Sequence, residues 1–342
     1  MKVSIVMPVH NVEKYIIRSL DSIMAQTYPD IECILVDDCG QDDSMPLAEQ
    51  RIKDYAGPVT FKLLHHEQNR GPSAARNTGT VAATGDYVYY MDSDDEIVPR
   101  CVEHLMLLAG KYPGVEMVQG NTYVVTEEKN YNMSFCNISD RGFPEYVDSN
   151  DWVRAHFYGM EGGCIPQDVA NKLVKKKFIT DNQLFFDDRL YVFENDYWMF
   201  FAVKKLSSIA FTTDVTYLYY KNDNAATTSG DYEARSIKAV AILTETVLNN
   251  LDQPLMRQQK RKYLFQLYGF YRRNLLIDRQ DYYPVYRKMA VTNACKEIRR
   301  GHLQYLFHWL IVSITPPVTN RVRHQVFRFV YLPFRLIPNL LF

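Results

Sequence analysis

The stretch Tyr87 to Asp95, YVYYMDSDD, constrains this chain more than any other, because an aromatic and apolar run leads straight into three aspartates. Four or more apolar or aromatic residues in succession, entered through Gly85-Asp86, predict a buried strand, and Asp92-Ser93-Asp94-Asp95 falls where that strand emerges. In an open parallel sheet the emerging ends face the ligand crevice, and period-2 alternation turns Asp92 and Asp94 to the same side. Carboxylates held so close repel one another, so an ionised cluster needs a partner. A hard divalent cation with oxygen ligands, sharing its coordination sphere with substrate phosphates, meets that need. The alternative is a solvated acidic turn, which is how Glu96 reads.

Upstream, runs of strand length alternate with stretches of helical period. Val3 to Val9 predicts a buried first strand ended by Pro8-Val9-His10-Asn11, and Ile16, Leu20, Ile23 and Met24 share one helical face closed by Tyr28-Pro29. Ile31 to Val36 predicts a second strand, which also runs into acids, Asp37-Asp38, and then the turn-rich CGQDDS. A helix near Pro46 to Asp54, a third strand at Phe61 to Leu64, a small-residue helix from Ser73 to Ala83 and a fourth strand at Tyr87 to Met91 follow. This alternation predicts an α/β fold: a mostly parallel sheet covered by helices on both faces, with a nucleotide-sized ligand at the carboxyl ends of the strands. A dinucleotide-binding G-x-G-x-x-G turn is excluded, since the first turn reads PVHN, and no G-x-x-x-x-G-K loop occurs. Phosphates therefore need another partner, and a metal on Asp92 and Asp94 supplies one. A nucleotidyltransferase with an acidic metal site would want a basic loop after the first strand, which PVHN does not offer.

A chain of 342 residues with 47% hydrophobic content can bury one large core and carry an appended subdomain. Its formal net charge of -1 conceals a division: residues 1–250 hold 23 Lys and Arg against 36 Asp and Glu, whereas 251–342 hold 16 against 4. An acidic body with a basic tail points the tail toward a polyanion, and no recognised module favours nucleic acid. Cys33, Cys39, Cys101, Cys136, Cys164 and Cys295 form no CxxC pair and read as reduced thiols of a cytosolic protein. Pro8 and His10 interrupt the first apolar run before a signal peptide could form, and no window reaches the roughly 18 apolar residues of a membrane span.

SIVMPVHN, the helix with Leu20, Ser22, Ile23 and Gln26, VDDCGQDDS, NRGPSAARNTG and GDYVYYMDSDDEIVP together resemble the family-2 inverting nucleotide-sugar glycosyltransferases. Five motifs in order over the first 100 or so residues are far more specific than any one alone. The resemblance continues through Asn171-Lys172-Leu173, Phe193-Glu194-Asn195-Asp196-Tyr197, and Tyr219-Tyr220-Lys221 to Thr227-Thr228, covering roughly residues 1–230. It implies a Rossmann-like A-type glycosyltransferase domain with a mostly parallel sheet over residues 1–230, and leaves 231–342 as a helical, basic C-terminal region. Carried over by position, Pro8 and Asn11 would shape the nucleotide pocket, Asp38 would accept from a uracil ring, and Arg76 would stand beside the donor. Asp92 would meet the ribose or the metal's water shell, and Asp94 would ligate Mg2+ or Mn2+ bridging the pyrophosphate. For Asp38 the bland reading is a cap of the following turn, and for Arg76 a surface helix charge.

Inverting transfer also needs a base on the far side of the sugar. In the family an acidic segment supplies it; here Asn195 stands where the family usually has Glu, so Asp196 is the expected base and Glu194 the reserve. The bland reading of these acids is a helix start. Lys221 replaces the family's Arg, keeping a cation for phosphate without bidentate geometry. His65-His66, His104 and His156 have no ligand-like spacing and read as satisfied surface or core residues.

The expected activity is therefore transfer of a sugar from a nucleoside-diphosphate sugar, a UDP-sugar foremost, to a glycan or lipid-linked acceptor in cell-surface polysaccharide synthesis. The alternative is a scaffold on the same fold that binds nucleotide sugars without catalysis; Asn195 favours it, while Asp38, Asp92 and Asp94 favour the enzyme. In the tail, Leu303, Leu306, Phe307, Leu310, Ile311 and Ile314 follow helical spacing up to Pro316-Pro317. Arg321, His324 and Arg328 then form a basic stripe, with no acid after Glu297. That pattern predicts a helical anchor on the anionic inner face of the cell membrane, or else a helix packed on its own domain.

Overall fold

The computed structural model describes residues 1–125, 131–133, 138, 142–157 and 165–221, with helical positions scattered between 235 and 246. Its contacts divide the chain into two compact units, Met1–Gly230 and Asp231–Phe342. What is described of the second unit, Arg235, Lys238 and Leu243 among it, is helical. Thr227-Thr228, the basic tail from 298 to 342, and Cys136, Cys164 and Cys295 lie outside the described residues. Cys33, Cys39 and Cys101 are free thiols. Among the described residues no helix is long and apolar enough to cross a membrane.

The first unit opens with β1 (Val3–Val9), α1 (Ile16–Met24), β2 (Ile31–Asp37), α2 (Ser44–Lys53), β3 (Thr60–His65), α3 (Gly71–Ala82) and β4 (Tyr87–Tyr90). It continues with β5 (Glu96–Ile97), α4 (Cys101–Lys111), β6 (Met117–Val125), β7 (Tyr131–Met133), β8 (Tyr146–Asp148) and α5 (Asn150–Phe157). After these come β9 (Lys172–Lys175), α6 (Lys176–Asp181), α7 (Glu194–Lys205) and β10 (Ser208–Tyr220). Helix α2 starts at Ser44, ahead of Pro46. The Ser44 hydroxyl donates to Asp42 and accepts from the Val12 N–H, while the missing N–H of Pro46 falls in the first turn, where it costs nothing.

The first four strands pair in parallel in the order β3-β2-β1-β4, as the alternation of strand and helix requires. Strand order reverses at β1, so the carboxyl ends of β1 and β4 flank a crevice. Beyond β4 the sheet is mixed. β9 inserts antiparallel between β4 and β6, β10 runs parallel to β6, and β5, β7 and β8 add short antiparallel ladders. Glu96 is not a solvated turn residue: it belongs to β5, pairs with Leu218 of β10, and lies 3.0 Å from the Arg18 guanidinium.

Both faces of β1, β2 and β4 are covered, which is why these strands are mostly apolar, whereas the edge strand β3 is at most half-buried. Val3, Ile5 and Met7 pack with Leu20, Ile23, Met45 and Leu105; Val6, Ile34 and Val36 pack with Ala75 of α3 and with Phe157, Trp198 and Met199. Helix α3 comes very close to the sheet. A Cβ added at Gly79 would stand 2.4 Å from Val6 Cγ1. At the amino-terminal edge a buried polar knot closes the sheet: Glu32 accepts from the Ser4 hydroxyl (2.5 Å) and the Thr84 N–H (2.6 Å), and its carboxylate is 3.0 Å from Lys2 Nζ.

Candidate active site

Strand β4 delivers the acids to its carboxyl edge and burial then alternates: Met91, Ser93 and Asp95 are buried, while Asp92 and Asp94 share the partly exposed side. The three aspartates do not form one cluster. Asp95 turns inward, where its carboxylate accepts from the Tyr217 hydroxyl (2.7 Å) and the Tyr220 N–H (2.8 Å) of β10. Burial, and then the charges of Asp94 and Asp92, push its pKa well up. Burial and the charges of Asp95 and Asp92 likewise raise the Tyr217 phenol, which therefore stays a donor. Among the described residues no group of three or more His, Cys, Asp or Glu could hold a metal ion by itself. The donor set that remains, Asp92 with Asp94, fits a hard cation that takes its other ligands from a diphosphate and water, the usual habit of Mg2+.

Arg76 lies one turn into α3 and is buried, so it is not a surface charge. Its Nη2 donates to Asp92 Oδ1 (2.8 Å) and its Nη1 to Glu194 Oε1 (2.9 Å), so one guanidinium joins the acid turn to the start of α7. Burial alone would depress the Arg76 pKa, but the two carboxylates outweigh it and the net direction is upward. Glu194 is buried and its pKa is raised, chiefly by that burial and against the pull of Arg76. The chain enters α7 through Phe193 in the left-handed region, φ 60°, which swings Glu194 and Asp196 into the first turn, where a helix amino terminus favours acids. Asp196 is half-buried two residues beyond Glu194. The Asn195 side-chain oxygen is buried and accepts no hydrogen bond.

Around the ends of β1 and β2 the chain builds a second polar group. Asp38 is buried and does not cap the turn that follows it. Its carboxylate accepts from the backbone N–H groups of Arg70 (2.8 Å) and Gly71 (2.7 Å), which begin α3. His66 Nδ1 lies 2.7 Å from the same carboxylate and His66 Nε2 lies 2.9 Å from the Thr78 hydroxyl. His66 was thus hidden from spacing rules, although the parallel register that pairs Asp37 with His65 makes Asp38 and His66 neighbours. Asn11 adopts φ 55°, accepts from the Gln41 N–H (2.7 Å) and so closes the two loops on each other. Pro8 sits beside Val36 within the sheet.

The later motifs divide between packing and surface. Asn171, at φ 60°, is a buried node that donates to Gly120 O (2.9 Å) and Asn121 O (3.0 Å) and accepts from the Thr216 hydroxyl (2.5 Å). Lys172 is fully buried and donates to the Asp168 carbonyl. Lys221 is exposed just past β10. A cavity of about 630 Å³ lined by Gly85, Tyr87, Pro113 and Lys175 opens at the opposite, amino-terminal end of β4, away from the acids.

The sequence model of the family described as Glycosyl transferase family 2 matches residues 4–159. The chain is 34% identical to the glycosyltransferase GlyA of Streptococcus pneumoniae over 46% of its own length and 22% of GlyA. It is 36% identical to a glycosyltransferase of Haemophilus influenzae over 37% of its own length and 53% of that protein. It therefore spans between a fifth and about half of these relatives. GlyG of S. pneumoniae is 27% identical over 75% of this chain and 84% of GlyG. Among solved structures, S. aureus TarS 1-349 in complex with UDP-GlcNAc shares the fold with a TM-score of 0.60 at 20% identity, over 86% of this chain and 81% of that one. The mixed sheet thus shares the A-type glycosyltransferase fold, and residues 4–159 match glycosyl transferase family 2.

Proposed function

We propose that this protein transfers a sugar from a UDP-sugar to the hydroxyl of a glycan or lipid-linked saccharide, with inversion at the anomeric carbon, in the synthesis of a cell-surface polysaccharide. The observation that carries this reading is the single guanidinium of Arg76 bridging Asp92 and Glu194, which joins the donor-side acids to the α7 start. UDP as the nucleotide is supported by the TarS structures in complex with UDP and with UDP-GlcNAc.

In this reading Asn11 and Asp38 hold the uracil end, and Asp92 with Asp94 hold Mg2+ or Mn2+ together with the diphosphate. When bound there, such a cation would supply charge neutralisation for the departing diphosphate. Asp196 takes the proton of the acceptor hydroxyl as its oxygen attacks the anomeric carbon and the bond to the diphosphate breaks. Glu194 is unsuited to that task because its carboxylate is already engaged by Arg76. Lys221, exposed past β10, is the cation that approaches the phosphates. The test is a screen of nucleotide sugars for nucleoside diphosphate release with and without Mn2+. Release from a UDP-sugar that requires the cation supports the reading, and binding of UDP-sugars without turnover on any acceptor class favours the scaffold to which Asn195 points.

A further inference from the structure

We propose that Arg18 and Ser19, two adjacent residues of α1, are positioning residues that fix how Asp94 meets a metal-bound diphosphate. The proposal rests on the reading of Asp94 as a metal ligand.

Helix α1 reads the backbone of the acid turn in order. Arg18 Nη2 donates to the Asp94 carbonyl at 2.5 Å. The hydroxyl of Ser19, which is wholly buried, lies 2.8 Å from the Ser93 carbonyl and 2.6 Å from the Asp95 carbonyl, with one proton to share between them. One turn further along, Ser22 Oγ accepts from the Ile97 N–H (3.2 Å). One turn beyond that, Gln26 donates to the Val98 carbonyl (2.8 Å) and accepts from the Val102 N–H (3.1 Å). Arg18, Ser19 and Ser22 lie along one side of α1, and Gln26 follows just past its end. Their polar atoms bind successive main-chain groups between 93 and 102, so α1 is a template along which the acid turn is laid.

The consequence for chemistry lies in the first two contacts. Three consecutive carbonyls, those of Ser93, Asp94 and Asp95, are held from the α1 side, and a fixed peptide plane fixes the direction of the neighbouring Cα–Cβ bonds. Asp94 and Asp92 are thereby kept on the partly exposed side while Asp95 is kept inward, where Tyr217 and the Tyr220 N–H receive it. Arg18 adds a second restraint. Its Nε lies 3.0 Å from Glu96 Oε1, and its guanidinium carbon stands 3.5 Å from the centroid of the Tyr220 ring, so it ties the end of β10 to the Asp94 backbone. Neither residue was singled out by sequence, because Arg and Ser at the start of an amphipathic helix look like ordinary rim residues.

The experiment titrates the full-length chain with MnCl2 at fixed UDP, following free Mn2+ by its electron paramagnetic resonance signal and UDP affinity by calorimetry in Mn2+ and in EDTA. Asp94→Ala is expected to lose the Mn2+-linked part of UDP binding. Arg18→Gln and Ser19→Ala are expected to raise the half-saturating Mn2+ concentration about tenfold, the scale of one lost charge-assisted or buried hydrogen bond, with UDP affinity in EDTA unchanged. Arg18→Lys keeps a cation and a donor but not the flat stack on Tyr220, so a shift of about threefold is expected, and it decides the matter if Arg18→Gln does not fold. A wild type that binds UDP equally in Mn2+ and EDTA overturns the metal reading of Asp94 and this proposal with it. A wild type that needs Mn2+ through Asp94, beside Arg18 and Ser19 variants with unaltered Mn2+ dependence, overturns the positioning roles alone. Equal loss of UDP affinity in both media would mean general damage to the donor site and also overturns them.

Discussion

Replacing Arg76 by Met keeps the length and apolar stem of the side chain and deletes only the charge that joins Asp92 to Glu194. The two carboxylates left behind fare differently. The Asp92 side chain is 37% exposed and can turn to water, whereas Glu194 is 10% exposed and cannot. An uncompensated buried carboxylate protonates rather than remain charged. The Glu194 pKa, already raised by burial, rises further once Arg76 no longer pulls it down, and each further unit of rise costs about 1.4 kcal/mol at a pH above the new value. The sign follows from the raised folded-state pKa: below about 4.5 both states are protonated and the cost is absent, and it grows as pH rises toward the new folded-state value. Thermal melts should therefore show Arg76→Met falling by about 3–6 °C for each such unit at pH 7 and much less at pH 5. The double variant Arg76→Met/Glu194→Gln should recover most of the loss at pH 7. A melting penalty that is the same at pH 5 and pH 8, or one that Glu194→Gln does not relieve, would refute the account of Arg76 as the counter-charge of Glu194.

Asp196→Asn is expected to keep donor affinity while turnover drops about 100-fold or more, the scale of removing a positioned base; steady-state kinetics in which Glu194→Gln is the crippling change would move the base two residues earlier. Glu32→Gln tests the knot at the amino-terminal edge. Burial alone would raise the Glu32 pKa, but the Ser4 hydroxyl, the Thr84 N–H and Lys2 hold it at about 2 against an ordinary 4.5. Its contribution, about 1–2 kcal/mol after solvent screening, is thus present above pH 4.5 and lost as pH falls toward 2, so denaturant melts of the variant should lack that acid slope. We also expect the basic tail from 298 to 342 to bind anionic vesicles, weakening with salt at roughly 1 kcal/mol per basic residue near the surface, so that pelleting equal to that of a chain ending at Glu297 would exclude it.

The inner parallel strands β1, β2 and β4 were legible because burial on both faces writes them as mostly apolar runs, each ending where acids or turn residues began, and β3 was legible through its half-buried Phe61, Leu63 and Leu64. The second half was not. Lys172 and Lys175 flank β9, so KLVK looks like surface, yet Lys172 is buried with its ammonium on a backbone carbonyl. The long β10 carries Thr212, Thr213 and Asp214 at an irregularity between Phe211 and Val215, which masks its alternation. Within the site, the acids could be found by their spacing, but their partners could not. Arg76 reaches Glu194 across 118 positions and Tyr217 reaches Asp95 across 122, distances over which no local pattern records a contact. Asp95 shows the same limit: alternation sets it apart from Asp92 and Asp94, but nothing local shows that it meets a tyrosine of β10.

The close approach at Gly79 places a limit on tolerance that no polar residue of the site reveals. Gly79 and Arg76 are three residues apart on the same face of α3, so the depth at which this helix lies on β1 also sets the reach of the guanidinium toward Asp92. Val6, the side chain that a new methyl would strike, is β-branched and stiff, and it is flanked in register by the buried Ile34 and Tyr90, so the helix rather than the valine has to give way. A single methyl group, changing neither charge nor hydrogen bonding, would then lift the guanidinium by a fraction of an ångström from carboxylates now 2.8 and 2.9 Å away. In a chain of this design the spacing of these charged groups is stored in an absence of side chain, and sequence drift at Gly79 is open only to variants that also hollow out position 6.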